Sequence, residues 1–135
     1  VKLSTKGRYS LRAMLDLAVH FGQGQIQIKD ISARQQISAR YLEQLFIPLR
    51  KAGLVRSLRG AGGGFTLAKS PSEISFSEII QVAEGSVVPV RCVDKPKLCP
   101  QSDVCITRNI WTEMGMAISK VLESTTLQDL VLGHY

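Results

Sequence analysis

The sequence lacks any run of about 18 apolar residues, which argues against a membrane-spanning helix. Its opening stretch, Val1 to Tyr9, is charged and polar, without the apolar core of a secretory signal. A cytoplasmic, soluble protein is expected. Cysteine is scarce: three residues, an odd number, suit metal binding or redox chemistry in a reducing compartment better than a disulfide framework. Histidine is scarcer still, with only His20 and His134, both far in sequence from the cysteines, so a structural zinc site finds no obvious fourth ligand. Both histidines read as surface or capping residues. There is no internal repeat, no nucleophile paired with a general base and no metal motif with a catalytic glutamate, so an enzyme acting on a small-molecule substrate is not expected.

Acidic residues are also scarce in one half. From Val1 to Ser72 only Asp16, Asp30 and Glu43 stand against 12 Lys and Arg, a balance of +9, whereas Glu73 to Tyr135 carries eight acids against five bases, −3. The first half therefore has the electrostatics of a polyanion binder, because phosphate contacts release condensed counterions. At 135 residues, 44% of them hydrophobic, the chain accommodates one compact domain and one further element.

Helical spacing of Tyr9, Leu11, Met14, Leu15, Leu17, Ala18 and Phe21 predicts a first helix after Ser4-Thr5-Lys6-Gly7, ending at Gly22-Gln23-Gly24. Ile26-Gln27-Ile28 is a short alternating piece. A short second helix follows over 30–36, its acid Asp30 in the first turn, where the helix dipole favours it. Ile37-Ser38 reads as a tight connection with Ser38 capping a third helix, Ala39 to Ala52, whose buried face is Leu42, Leu45, Phe46 and Leu49. Gly53 stops that helix, and Pro48 predicts a kink or an early end near Ile47. Leu54 to Leu58 and Gly64 to Ala68 are strand patterns joined by the turn Arg59-Gly60-Ala61-Gly62-Gly63, a hairpin with a basic tip. Ser75 to Ala83 is helical in pattern. Gly85 to Asp103 has prolines, two of the three cysteines and no periodicity, and reads as a long loop. A long amphipathic helix, Val104 to Leu122, and a short one over 125–130 complete the chain.

The expected fold is mainly α with a small β-hairpin: a winged helix-turn-helix over 1–84, a cysteine-containing loop over 85–103, and a long helix with a short terminal one over 104–135. In such a motif the second of the two short helices enters the major groove. Ser38, Arg40, Tyr41, Glu43 and Gln44 stand at its start; Arg and Gln suit guanine and adenine edges, Glu accepts from the cytosine amino group, and Tyr41 packs or meets phosphate. Arg59 and Gly60 at the hairpin tip suit the minor groove or its phosphates. Lys6, Arg8 and Tyr9 at the start of the first helix, with free helix-terminal amides beside them, suit a phosphate contact. The run of glycines lacks the strand-to-helix context and the Lys-Ser/Thr of a nucleotide-binding loop.

Cys92, Cys99 and Cys105 are spaced C-x6-C-x5-C. Three thiolates in one segment can converge on a soft centre: an iron–sulfur cluster, zinc or copper(I). Free redox-sensing thiols are the alternative. A small electron carrier using the same cysteines leaves the basic helix-turn-helix unexplained.

Leu3-Ser4-Thr5-Lys6-Gly7-Arg8-Tyr9, Ala13-Met14-Leu15-Asp16, Tyr41-Leu42-Glu43-Gln44-Leu45-Phe46, Leu49-Arg50-Lys51, Gly53-Leu54-Val55, Arg59-Gly60 and Gly62-Gly63-Gly64 together are specific. With these motifs the chain resembles, over nearly its whole length, the IscR family of iron–sulfur cluster regulators, within the winged-helix family that also contains nitric-oxide and iron-sensing repressors. The resemblance implies a homodimer packed through the long helix from Cys105 to Leu122, double-stranded DNA with a palindromic operator as partner, and an iron–sulfur cluster held by Cys92, Cys99 and Cys105, [2Fe-2S] favoured over [4Fe-4S]. It implies that Glu43 tunes which promoter class is accepted. In two respects the chain departs from the family pattern: the segment carries one extra residue between Cys92 and Cys99, and Arg108 stands where a histidine serves as fourth ligand. Arginine, always protonated, does not ordinarily bind iron. Asp94, Asp103, a residue of the partner subunit or solvent are the alternatives. Control is expected to work by cluster loading that orders 85–103 against the helix start at Val104 and shifts the two recognition helices.

Overall fold

The computed structural model describes residues 3–60, 62–85 and 106–133. The first helix, α1 (Thr5–Val19), starts four residues before its apolar period does, because Ser4 caps it: its hydroxyl accepts from the Lys6 amide at 3.2 Å. Ser4 to Gly7 are thus the cap and first turn of α1, not a lead-in to it. Helix α2 (Ile28–Gln35) begins earlier than its acid suggests, and Gln36 behind it takes a left-handed backbone (φ 56°). That one residue reverses the chain between α2 and α3 (Ala39–Lys51), with Ile37 buried beneath the turn. Ser38 caps α3, its hydroxyl accepting from the Tyr41 amide at 3.1 Å, as the sequence suggests.

The early end expected at Pro48 does not occur. Helix α3 runs through it to Lys51, and the Ala52 amide still donates to the Pro48 carbonyl at 3.0 Å. Proline removes only the bond to the Gln44 carbonyl, on an exposed turn, while Leu45, Phe46 and Leu49 on both sides of it are buried in the core. Packing of that apolar face outweighs one lost backbone bond.

Strands β1 (Val55–Leu58) and β2 (Gly64–Leu67) pair antiparallel, Val55 opposite Leu67 and Leu58 opposite Gly64. The wing has a third rung that the sequence reading left unassigned: Ile26 pairs with Phe65 through two backbone bonds of 2.8 Å each. Gly64 permits this, since a Cβ there would lie 2.2 Å from the Ile26 carbonyl oxygen. Phe65 in turn stacks on Phe46 of α3, ring centroids 4.4 Å apart.

After a 3-10 turn at Pro71–Glu73 come α4 (Phe76–Glu84), α5 (Arg108–Ser124) and α6 (Leu127–Val131). Helices α4 and α6 both start in capping boxes, Ser75 with Glu78 and Thr126 with Asp129, and the two caps pair with each other as a β-bridge. Leu127 consequently enters the same core as Met14, Leu17, Ile31, Leu42, Phe46, Leu49 and Ile79. Helix α5 contributes nothing to that core. Its inner row, Trp111, Gly115, Ile118 and Leu122, is buried or half-buried on the side that packs α4, while Ile110, Met114, Ala117 and Val121 form an exposed outer row. Val104 and Cys105, expected at its start, lie outside the described residues, and the helix ends at Ser124 rather than Leu122. No helix among the described residues is long and apolar enough to cross a membrane.

Candidate nucleic-acid interface

The starts of α1 and α3 meet. The Tyr41 hydroxyl lies 3.5 Å from the Thr5 hydroxyl, and the Tyr41 ring meets Tyr9 edge-on with centroids 5.9 Å apart. Arg12 lies over the other partner, its guanidinium carbon 5.2 Å from the centre of the Tyr9 ring. Tyr9 and Tyr41 therefore pack between the helices. Arg40, Glu43 and Gln44 are exposed on α3, and Arg50 and Lys51 prolong that polar stripe toward its C-terminal end, with the apolar Ile47 exposed between them. Arg50 also donates to the Ser57 hydroxyl at 3.3 Å, tying α3 to the wing. Ser38 is exposed, but its oxygen is engaged in capping.

At the wing tip Arg59 and Gly60 are exposed, and Gly60 and Gly62 hold positive φ of 99° and 78°, the conformation that favours glycine. Gln25 braces the tip, its amide donating to the Gly62 carbonyl at 2.7 Å. Exposed cations thus stand on the α1 start (Lys6, Arg8), on α3 (Arg40, Arg50, Lys51) and on the wing (Arg56, Arg59).

One expectation at this surface is overturned. The amides of Ser4, Lys6 and Gly7 are not free: Glu84, the last residue of α4, accepts from the Ser4 amide at 3.0 Å, the Ser4 hydroxyl at 2.5 Å and the Gly7 amide at 2.8 Å, while the Lys6 amide donates to the Ser4 hydroxyl oxygen. The Ser4 hydroxyl, acting against some desolvation and joined by the two amides and the charge of Lys6, holds the Glu84 carboxyl below its usual range. An anion already sits where a phosphate was expected to find bare amides, and Lys6 and Arg8 present side chains only.

Sequence reasoning also missed a brace beneath the helix turn. Asp16, on the buried face of α1 with a side chain 2% exposed, accepts two bonds from Arg34, at 2.9 and 2.8 Å, and one from Gln35 at 3.1 Å. Arg12 donates to the Gln35 side chain at 3.3 Å and to the Gln35 carbonyl. Burial pushes the Asp16 carboxyl up, but the bonds from Arg34 and Gln35 and the charges of Arg34 and His20 outweigh it, and the net shift is downward. His20 caps α1, as a capping residue should, with its Nδ1 2.8 Å from the Asp16 carbonyl oxygen. The available signal was an acid in an otherwise apolar row, Ala13, Met14, Leu17 and Ala18.

Cys92, Cys99, Cys105, Asp94, Asp103 and His134 lie outside the described residues, among which no cluster of three or more metal-ligating side chains occurs. By donor type alone, three thiolates suit a soft centre, whether an iron–sulfur cluster, zinc or copper(I), and Arg108, the first residue of α5, adds no ligand.

The family described as "Rrf2: Iron-dependent Transcriptional regulator" matches residues 3–133. The chain is 46% identical over 131 residues to the HTH-type transcriptional regulator IscR of Serratia proteamaculans, covering 97% of this chain and 79% of that protein. The solved structure of CymR, the global cysteine regulator of B. subtilis, is similar with a TM-score of 0.82 at 42% identity, covering 97% of this chain and 96% of that one. The structure of T. potens IscR gives 0.81 at 42% identity, covering 100% and 89% respectively.

Proposed function

The chain belongs to the Rrf2 family of transcriptional regulators, and from that premise we propose that it binds a palindromic operator as a homodimer in the cytoplasm and reports iron–sulfur status through Cys92, Cys99 and Cys105. The observation that carries the DNA reading is the meeting of the α1 and α3 starts, Thr5 against Tyr41, which joins the turn that carries the exposed Lys6 and Arg8 to the start of the helix that carries the exposed Arg40, Glu43 and Gln44. Arg40 and Gln44 hydrogen-bond base edges in the major groove, and Glu43 selects among operators by accepting from cytosine or repelling a phosphate. Ser38 caps the helix and offers its hydroxyl proton. Tyr9 and Tyr41 hold the two helix starts together. Arg59 and Gly60 follow the minor groove, and Lys6 and Arg8 bind phosphates.

The homodimer rests on α5. Its exposed row Ile110, Met114, Ala117, Val121 repeats at intervals of four, three and four, the spacing of a two-helix seam, and a second copy of the same helix satisfies it. The chain divides functionally into a DNA reader, 1–84, a sensing segment, 85–103, and a dimer helix with its terminal anchor, 104–135.

The three cysteines supply thiolate ligands to a [2Fe-2S] cluster, with Asp94, Asp103, a residue of the partner subunit or solvent at the fourth position. When bound, such a cluster provides a labile, redox-active centre, so that its presence distinguishes two states of the chain. Residues 85–103 held against the start of α5 then favour one spacing of the two recognition helices, and operator affinity changes only by the difference in free energy between the two arrangements. The test is a gel-shift series on a duplex selected by the protein, comparing reconstituted with chelated samples alongside anaerobic Mössbauer spectra. Cluster-dependent affinity supports the reading. Equal affinity in both states refutes cluster control, and a reconstituted sample without visible absorption leaves the thiols acting as bare redox groups.

A further inference from the structure

We propose that Glu84 is a positioning residue for DNA binding: its carboxylate fixes the first turn of α1 so that Lys6 and Arg8 reach phosphate, and it ties that turn to the end of the helix from which the cysteine segment departs. This rests on the reading of Lys6 and Arg8 as phosphate contacts. One carboxylate oxygen receives three donors, the Ser4 amide, the Ser4 hydroxyl and the Gly7 amide, at 3.0, 2.5 and 2.8 Å. These bonds span nearly eighty positions of sequence and are made by the last residue of α4, with Gly85 behind it turning the chain at φ 78°.

The fit is built from both sides. A Cβ on Gly7 would stand 2.5 Å from the Glu84 Oε1 and 2.9 Å from its Cγ, so glycine at this buried position in the first turn is what lets the carboxylate approach. Gly7 has no positive φ that would otherwise demand glycine. The helix dipole adds attraction for the negative charge at this end. Because Lys6 and Arg8 flank Gly7, the same bonds set the rotation of the turn that displays them. A carboxylate in the place of a phosphate also rules out direct docking of DNA on these amides, leaving the flanking cations as the contacts. Seven residues separate Glu84 from Cys92 in sequence.

The experiment is salt-dependent binding of the full chain to a duplex selected from a random-sequence pool by the wild-type protein. Wild type, Glu84→Ala, Gly7→Ala, Lys6→Ala/Arg8→Ala and their combinations are compared, with thermal unfolding measured in parallel. Two phosphate contacts contribute about 1.8 to the slope of log K against log salt, which amounts to a loss of up to about thirtyfold at ~0.15 M salt. Glu84→Ala is expected to lose affinity and slope to that extent, and Gly7→Ala to do likewise although alanine favours the helix. Gly7→Ala is expected to cost nothing more once Glu84 is alanine, and Lys6→Ala/Arg8→Ala to cost little more in that background. Additive losses, or a lowered melting temperature with an unchanged slope, overturn the proposal and leave Glu84 a stabilising cap. A gain in affinity on Glu84→Ala overturns it too, making the carboxylate a competitor of phosphate. If Lys6→Ala/Arg8→Ala leaves the wild-type slope unchanged, the phosphate reading itself has failed and the proposal falls with it.

Discussion

Replacing Arg34 with methionine isolates what the brace beneath the helix turn contributes. The Asp16 side chain is 2% exposed, and in the variant it keeps Gln35 as a side-chain donor but loses both guanidinium bonds and the compensating charge. Orphaning a buried charge costs about 3–5 kcal/mol; because the Arg34 side chain is 39% exposed and solvent screens it, the lower end applies, about 3 kcal/mol. For a chain of this length that lowers the melting temperature by roughly 10 °C. Methionine preserves most of the aliphatic stem, so the loss reports the charge and not a cavity. The pH dependence supplies the sharper check. In the wild type the Asp16 pKa is lowered, so its contribution is present above the ordinary carboxylate range and is lost as pH falls through the folded value. In the variant, burial without Arg34 raises the folded value, and protonation relieves the orphaned charge. The stability gap between the two proteins, read by urea unfolding from neutral pH downward, is therefore widest at neutrality and closes on acidification. A gap below about 1 kcal/mol at neutral pH, or one that stays constant with pH, refutes the reasoning.

Gly64→Ala drives the Ile26 carbonyl off β2 and breaks two backbone bonds, costing about 2 kcal/mol, with faster hydrogen exchange at the Ile26 and Phe65 amides as the local signature. Ser38→Ala removes the α3 cap and lowers unfolding free energy by about 1 kcal/mol, which Ser38→Asp restores. Ile110→Glu with Met114→Glu, two exposed neighbours on the outer row of α5, is expected to give a monomer by sedimentation where the proposed dimer is seen for the wild type, with loss of operator affinity; a wild-type sedimentation coefficient in the variant refutes the α5 seam. Serine at any one of Cys92, Cys99 or Cys105 abolishes the visible absorption of the reconstituted protein while leaving salt-dependent duplex binding in place.

The apolar period made α1, α3 and α4 legible, because each helix buries one continuous face: Met14 and Leu17, then Leu42, Leu45 and Leu49, then Ile79 and Ile80. The wing was legible from its glycines. What escaped reading depends on partners distant in sequence. Ile26 pairs across almost forty residues with Phe65, and two residues of alternation cannot announce a third strand. Pro48 carried a strong local signal that tertiary packing on both sides of it overrode. Nothing local to Glu84 marks it, and Asp16 shows only as an acid in an apolar row; the fold reveals that one takes the Ser4 and Gly7 donors and the other takes Arg34 and Gln35.

Helix α4 joins these observations. Its first turn is paired cap to cap with α6, the Phe76 amide donating to the Thr125 carbonyl at 2.7 Å and the Leu127 amide to the Ile74 carbonyl at 3.0 Å; its faces pack α1, α3 and α5; its last residue holds the start of α1. The cysteine segment leaves from the end of this helix and returns at α5, which packs against it. Both ends of the segment are thus fastened to elements in contact with each other, so closing it over a shared ligand costs little extra chain entropy. On the proposed function, three thiolates that share a ligand pull on Glu84 at one end and on the first turn of α5 at the other, so the sensing segment and the turn of α1 that displays Lys6 and Arg8 meet at one helix, α4.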